Sequence, residues 1–168
     1  MEHLTREHDF DRVYLIVSPQ NPFKDASNNK TAHDRYLAAL DAVRRHPDLK
    51  VTVDDIELTM EPPQYTIRTL DALKAREPMH DFTLVIGADN LSSFKGWRES
   101  SRILKEYGVV VFPRSGYDAR AIRDSLMSEP GGSDYKILIM DDAPLVDISS
   151  TEIRNGLAEG RDMSEWLM

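Results

Sequence analysis

Short apolar runs that alternate with helix-period segments constrain this chain more than any other feature. Residues 12–18 (RVYLIVS), 82–86 (FTLVI), 109–112 (VVVF) and 135–140 (YKILIM) are apolar, rich in β-branched residues and of strand length. Residues 50–58 alternate enough to be a further strand, with Val51, Val53 and Ile56 facing inward. Between these runs, Ala32, Tyr36, Leu37, Leu40 and Val43 recur at helical spacing, as do Ile67, Leu70 and Leu73. Pro47 and Pro78 close those two helices, because proline removes a backbone donor and clashes with the preceding turn. Residues 98–107 and 119–127 are expected to be helical, residues 3–10 to be the tail of a helix, and Gly131 with Gly132 to mark a turn. This alternation, with several strands apolar on both faces, predicts an α/β fold around a mostly parallel sheet. No linker, repeat or low-complexity tract interrupts it, so residues 1–168 are expected to form a single domain. A chain of that length buries about two-thirds of its unfolded surface.

Charge and composition narrow the function classes. The net charge of −8 and pI near 5.1 argue against general binding to nucleic acid or to an anionic membrane. A few local cations and backbone amides still suffice for a nucleotide. The absence of cysteine excludes disulfides, thiol catalysis and thiolate metal sites. There is no 18-residue apolar run and no apolar signal core near the start, so the expected location is the cytoplasm. His3, His8, His33, His46 and His80 form no triad pattern and no H-x-x-x-H pair, and are read as surface residues.

In open parallel sheets, ligands bind beyond the C-terminal ends of the strands. That rule selects the loops at residues 19–24, 87–97, 113–116 and 147–151. The first ends in Lys24, a cation that is otherwise simply solvated. The second offers Gly87 and Ala88, small enough for close approach of a ligand, then Asp89, an acceptor for ribose hydroxyls or else the N-cap of a short helix. It continues through Lys95 to Trp97, whose indole could stack on a heteroaromatic ring for about 1–3 kcal/mol, or pack at the rim of the core. Arg114 is a candidate phosphate ligand in the third. Tyr65 and Thr66 begin a helix whose N–H groups could hold a carboxylate, unless Thr66 caps it.

The last loop carries Ile148-Ser149-Ser150-Thr151-Glu152-Ile153-Arg154. Three hydroxyls run into a helix start, where unpaired N–H groups and the helix dipole favour an anion. Arg154 adds a planar fork suited to phosphate oxygens. Ser149 and Glu152 also fit a capping box, and the two readings are compatible.

Taken in order, SPQNPFK, PQYT, IGAD, KGW and ISSTEIR resemble the bacterial nicotinate mononucleotide adenylyltransferases, over about residues 11–160. ISSTEIR is shared across the wider nucleotidyltransferase superfamily, whereas YT, IGAD and KxW in this order narrow the choice. The resemblance implies a Rossmann-like nucleotidyltransferase fold and transfer of AMP from ATP to nicotinate mononucleotide, giving deamido-NAD and pyrophosphate. It gives Lys24 and Arg154 catalytic roles at the phosphates, with Ser149, Ser150 and Thr151 beside Arg154. Gly87, Ala88 and Asp89 would line the adenosine and ribose site. Tyr65 and Thr66 would read the nicotinate carboxylate, Trp97 would stack on the pyridine, and Lys95 and Arg114 would join the substrate site. Mg2+ would accompany ATP without a dedicated protein metal site. The implied partners are ATP and nicotinate mononucleotide, with homo-oligomer formation left open.

The family opens with a strand and G-x-F-x-P-x-H-x-G-H, and these 168 residues contain no such segment. His3 and His8 do not substitute for it. The expectation is therefore a chain shortened at both ends, lacking the first strand and a last short helix. A non-catalytic nucleotide-binding or scaffolding domain is the alternative from another class. Nicotinamide mononucleotide and phosphopantetheine are the alternative acceptors.

Overall fold

The computed structural model describes residues 2–6, 8, 10–19, 31–145 and 150–162. The chain packs into two compact units, one formed by Met1–Gln64 with Ser150–Met168 and the other by Tyr65–Ser149.

In the first unit, helix α1 (Glu2–Arg6) precedes strand β1 (Val13–Ile16), as the sequence indicates. Helix α2 (Ala32–Arg44) follows and ends before Pro47. Its start is sealed by a reciprocal capping box: Thr31 Oγ1 accepts from the Asp34 amide at 3.1 Å, and the Thr31 amide donates to Asp34 Oδ2 at 2.9 Å. Strand β2 (Val51–Asp54) pairs parallel with β1, Ile16 opposite Asp54. It is shorter than the expected 50–58 run. The carboxylate of Asp54 accepts from the Ile56 amide at 3.0 Å, and residues Ile56–Leu58 turn into a 3-10 helix. A local side-chain acceptor thus competes with the ladder, and Ile56 leaves the strand. Helix α7 (Ser150–Ala158) completes this unit. His33 and His46 are exposed as expected, whereas His3 and His8 are half-buried with ring centroids 5.1 Å apart, which corrects their assignment to the surface.

The second unit holds helix α3 (Thr66–Arg76), strand β3 (Leu84–Gly87) and helix α4 (Ala88–Ser92). Helix α5 (Ser100–Arg102), strand β4 (Val109–Phe112), helix α6 (Ala119–Met127) and strand β5 (Ile137–Ile139) follow. The strands form a parallel sheet in the order β3-β4-β5. Parallel pairing among the described strands, with helices in the connections, is the α/β pattern expected of this sequence. Ile67 and Leu70 from α3, Leu91 and Phe94 after β3, and Val109 and Val111 of β4 build one apolar core. Each large side chain in it contributes about 1.5–3 kcal/mol by leaving water. One face of the sheet is less covered than the apolar runs suggest. Val85 and Leu138 flank the buried Val110 in register and are 42% and 48% exposed.

The expected helix over 98–107 is instead a short α-turn followed by a π-helix at Ile103–Tyr107, closed by Gly108 N–H donating to the Ile103 carbonyl at 2.8 Å. The wider turn brings residues five apart toward one side. Arg102 and Tyr107 accordingly converge on Asp71 of α3, the guanidinium in a fork at 2.9 and 2.7 Å and the phenol at 2.7 Å. Burial alone would raise the Asp71 carboxyl, but the donors from Arg102 and Tyr107, with the arginine's charge, bring it below its ordinary value. Burial first, and then the bond to Asp71, pushes the Tyr107 phenol up to about 12. No helix among the described residues is long and apolar enough to cross a membrane.

Candidate active site

Parallel register assembles the first part of the site. Gly87 at the end of β3 lies opposite Phe112 at the end of β4, so the residues two positions beyond, Asp89 and Arg114, come together. Arg114 Nε is 3.7 Å from Asp89 Oδ1, close enough to neutralise charge and too far for a hydrogen bond. Asp89 Oδ1 is shielded from solvent and accepts no hydrogen bond among the described residues. A buried acceptor without a donor is costly, and such atoms concentrate at functional positions. Gly87 keeps the corner compact. A Cβ there would stand 2.3 Å from Asp89 Oδ1 and 3.1 Å from Arg114 Nε. Ala88 is fully buried, so it contributes smallness and a backbone rather than an exposed side chain.

Asp89 does not cap α4. The cap position is Gly87, and Asp89 sits within the first turn, which removes the capping explanation for its carboxylate. Thr66 does not cap α3 either. Tyr65 holds the cap position, its side chain makes no capping bond, and Thr66 is the first helical residue. The α3 start thus has no side-chain cap among the described residues, while α6 is capped by Asp118, which accepts from the Ala121 amide at 3.0 Å.

Trp97 packs at the rim of the core, the second of the two readings made from sequence. Its indole stacks on the buried Phe94 at 4.8 Å and 27°, which fixes the ring plane, and the residue stays only partly buried at the edge of the core. Lys95 is turned elsewhere, in an ion pair with Glu129. The cation brought to Tyr65 is Arg98, whose guanidinium carbon lies 5.9 Å from the ring centroid. Arg98 was not singled out from sequence. Its signal was adjacency to Trp97, but periodicity placed it inside a helix. The left-handed Glu99, φ 53°, breaks that helix and turns the chain just after Arg98.

In the other unit, the exit of β1 toward the 19–24 loop is held by residues that the sequence reading also missed. Ser18 Oγ donates to the buried Glu57, and Arg35 of α2 donates to the carbonyls of Ser18 and Pro19 at 2.6 and 2.9 Å. Neither Arg35 nor Glu57 belongs to a loop that the strand-end rule selects. Lys24 and Ser149 lie outside the described residues. The α7 helix begins at Ser150, so the backbone of Ser150 and Thr151 forms its first turn with Arg154 one turn on.

Residues 2–156 match the cytidylyltransferase-like family. A relative from Porphyromonas gingivalis, named "Probable nicotinate-nucleotide adenylyltransferase", is 36% identical over 98% of this chain and 78% of its own length. A Flavobacterium johnsoniae protein of the same name is 35% identical over 98% of this chain and 80% of its own. Among solved structures, a Plasmodium falciparum nicotinic acid mononucleotide adenylyltransferase superposes with a TM-score of 0.71 at 15% identity, covering 98% of this chain and 78% of that one, a likeness of fold. The chain therefore belongs to the cytidylyltransferase-like family and, within it, to the nicotinate-nucleotide adenylyltransferases.

Proposed function

We infer that this protein transfers the adenylyl group of ATP to nicotinate mononucleotide, giving deamido-NAD and pyrophosphate. In that reaction a phosphate oxygen of the mononucleotide attacks the α-phosphorus of ATP. The bond from that phosphorus to the bridging oxygen breaks, and pyrophosphate leaves with the electron pair. No covalent enzyme intermediate is required. Catalysis consists of aligning two polyanions and compensating the charge that develops between them.

The observation that carries the reading is the corner at the ends of β3 and β4. There a solvent-shielded Asp89 oxygen lacks a donor while Arg114 balances its charge. Ribose hydroxyls are the donors such an acceptor suits, and Gly87, lacking a Cβ, lets Asp89 and Arg114 close together at that corner. The uncapped start of α3 at Tyr65 and Thr66 suits the nicotinate carboxylate, and the Trp97 ring suits the pyridine. Lys24, Ser149, Ser150, Thr151 and Arg154 are proposed for the phosphates, and Lys95 for the edge of the substrate site. ATP would arrive with a divalent cation, for which we propose Mg2+. That ion would share in neutralising the phosphates, as part of the nucleotide substrate.

A coupled assay of pyrophosphate release with nicotinate mononucleotide, nicotinamide mononucleotide and phosphopantetheine tests the acceptor. A clear preference for the amide or the thiol overturns it. ATP binding by calorimetry without pyrophosphate release would identify a binding module instead. Trp97→Ala should raise KM for the mononucleotide more than for ATP, and Arg154→Ala should do the reverse. The opposite pattern would exchange the two subsites.

A further inference from the structure

We propose that Arg98 is a specificity-determining residue. Its guanidinium, carried on the ring of Tyr65, meets the carboxylate on the acceptor's pyridine ring and biases the enzyme toward the acid over the amide. The inference rests on the acceptor reading given above and adds a side chain to it.

Arg98 is held unlike its neighbours. Lys95 pairs with Glu129, Arg102 is forked onto Asp71 and also meets Glu106, and Arg120 closes on Asp141 at 2.5 Å. Arg98 instead lies over an aromatic face. Its carboxylate neighbour Glu99 reaches Nε only at 4.0 Å, and the other oxygen of Glu99 is drawn to Arg102 at 3.5 Å. At 5.9 Å the guanidinium is within cation–π reach of the ring, a contact that attracts its charge without using its N–H donors. With the side chain 65% exposed, those donors stay accessible for a planar, bidentate anion. The surroundings define which anion. Trp97 precedes it with its ring plane set by Phe94, and Tyr65 stands at the cap position of α3. An aromatic ring on Trp97 that carries a carboxylate presents that group to Arg98. A carboxamide in the same place offers one oxygen and turns two donors toward a cation, which is repulsive.

The test measures kcat/KM for nicotinate and nicotinamide mononucleotides in the wild type and in Arg98→Ala, Arg98→Lys, Tyr65→Leu and the Tyr65→Leu/Arg98→Ala pair. Loss of one charge-assisted contact should lower kcat/KM for the acid about tenfold through KM, leave the amide within about twofold, and leave KM for ATP unchanged. Arg98→Lys should restore part of the acid preference. Tyr65→Leu should lose part of it, and the double variant should be no worse than Arg98→Ala, because the ring acts through the cation. Equal losses for acid and amide, or none for either, overturn the role of Arg98 even while Trp97→Ala still raises KM for the mononucleotide. If Trp97→Ala raises KM for ATP instead, the acceptor site itself is misplaced, and this proposal falls with it.

Discussion

The starts of α2 and α3 show two ways of treating the same physical problem. Each helix begins with backbone N–H groups that the helix cannot satisfy. At α2, Thr31 and Asp34 bond one another's amides, and the end is closed by its own side chains. At α3, the cap position is an aromatic residue that makes no such bond, and an arginine lies over its ring. Capping stabilises a helix by about 1 kcal/mol, so a start that forgoes it is available for another use. The first start supports the fold; the second is the one we propose for the acceptor's carboxylate.

The sharpest way to break that contrast is at the neighbouring corner, where backbone and site are hardest to separate. Gly87→Ala should lower kcat/KM by about 10²-fold, the scale of losing a well-placed polar contact. The added carbon must displace Asp89 Oδ1 or Arg114, and a wild-type-like rate would show that the corner is only packing. Next, Tyr65→Asp would convert the α3 start into the α2 type. Thermal unfolding should show a gain of about 1 kcal/mol from the new cap. At the same time the like charge should raise KM for nicotinate mononucleotide at least about tenfold. Gain without loss would mean that this start is no binding element.

Smaller effects test the structural side. Asp71→Asn should cost about 1–2 kcal/mol in denaturant unfolding, discounted because the pair is partly exposed, with ATP turnover per folded molecule retained. The pH dependence of this network follows from its shifts. The Asp71 carboxyl is held low, so its contribution is present above the ordinary carboxylate pKa and is lost as pH falls through the depressed value. The Tyr107 phenol is raised to about 12, so its contribution is full below its ordinary pKa and disappears as pH rises through that value. Tyr107→Phe should flatten the loss of Tm expected as pH rises from about 10 to about 12. Thr31→Ala should cost about 1 kcal/mol and leave both KM values unchanged. A change in either KM would link α2 to the site.

Local sequence was enough for the elements whose signals are local. Val109–Phe112 and Ala119–Met127 fall where the apolar run and the helical period place them. The α3 helix buries Ile67, Leu70 and Leu73 as their spacing requires. The departures have named causes. Asp54 ends β2 early through its own hydrogen bond, Glu99 interrupts the helix expected over 98–107, and a π-turn replaces the rest of it. An average 3.6-residue period cannot register a turn of a different width.

The sequence by itself determined the alternation of strand and helix, the parallel class of sheet and the positions of the strand-end segments that carry Gly87, Asp89, Trp97 and Arg114. Each depends on side-chain type and spacing along a few consecutive residues. Tertiary structure alone decided the pairings. The register of β3 with β4 sets Asp89 against Arg114, Lys95 goes to Glu129, and Arg98 rests on Tyr65, 33 positions away along the chain. Those contacts join segments far apart in sequence, and only the packing of one element on another selects which charge meets which partner.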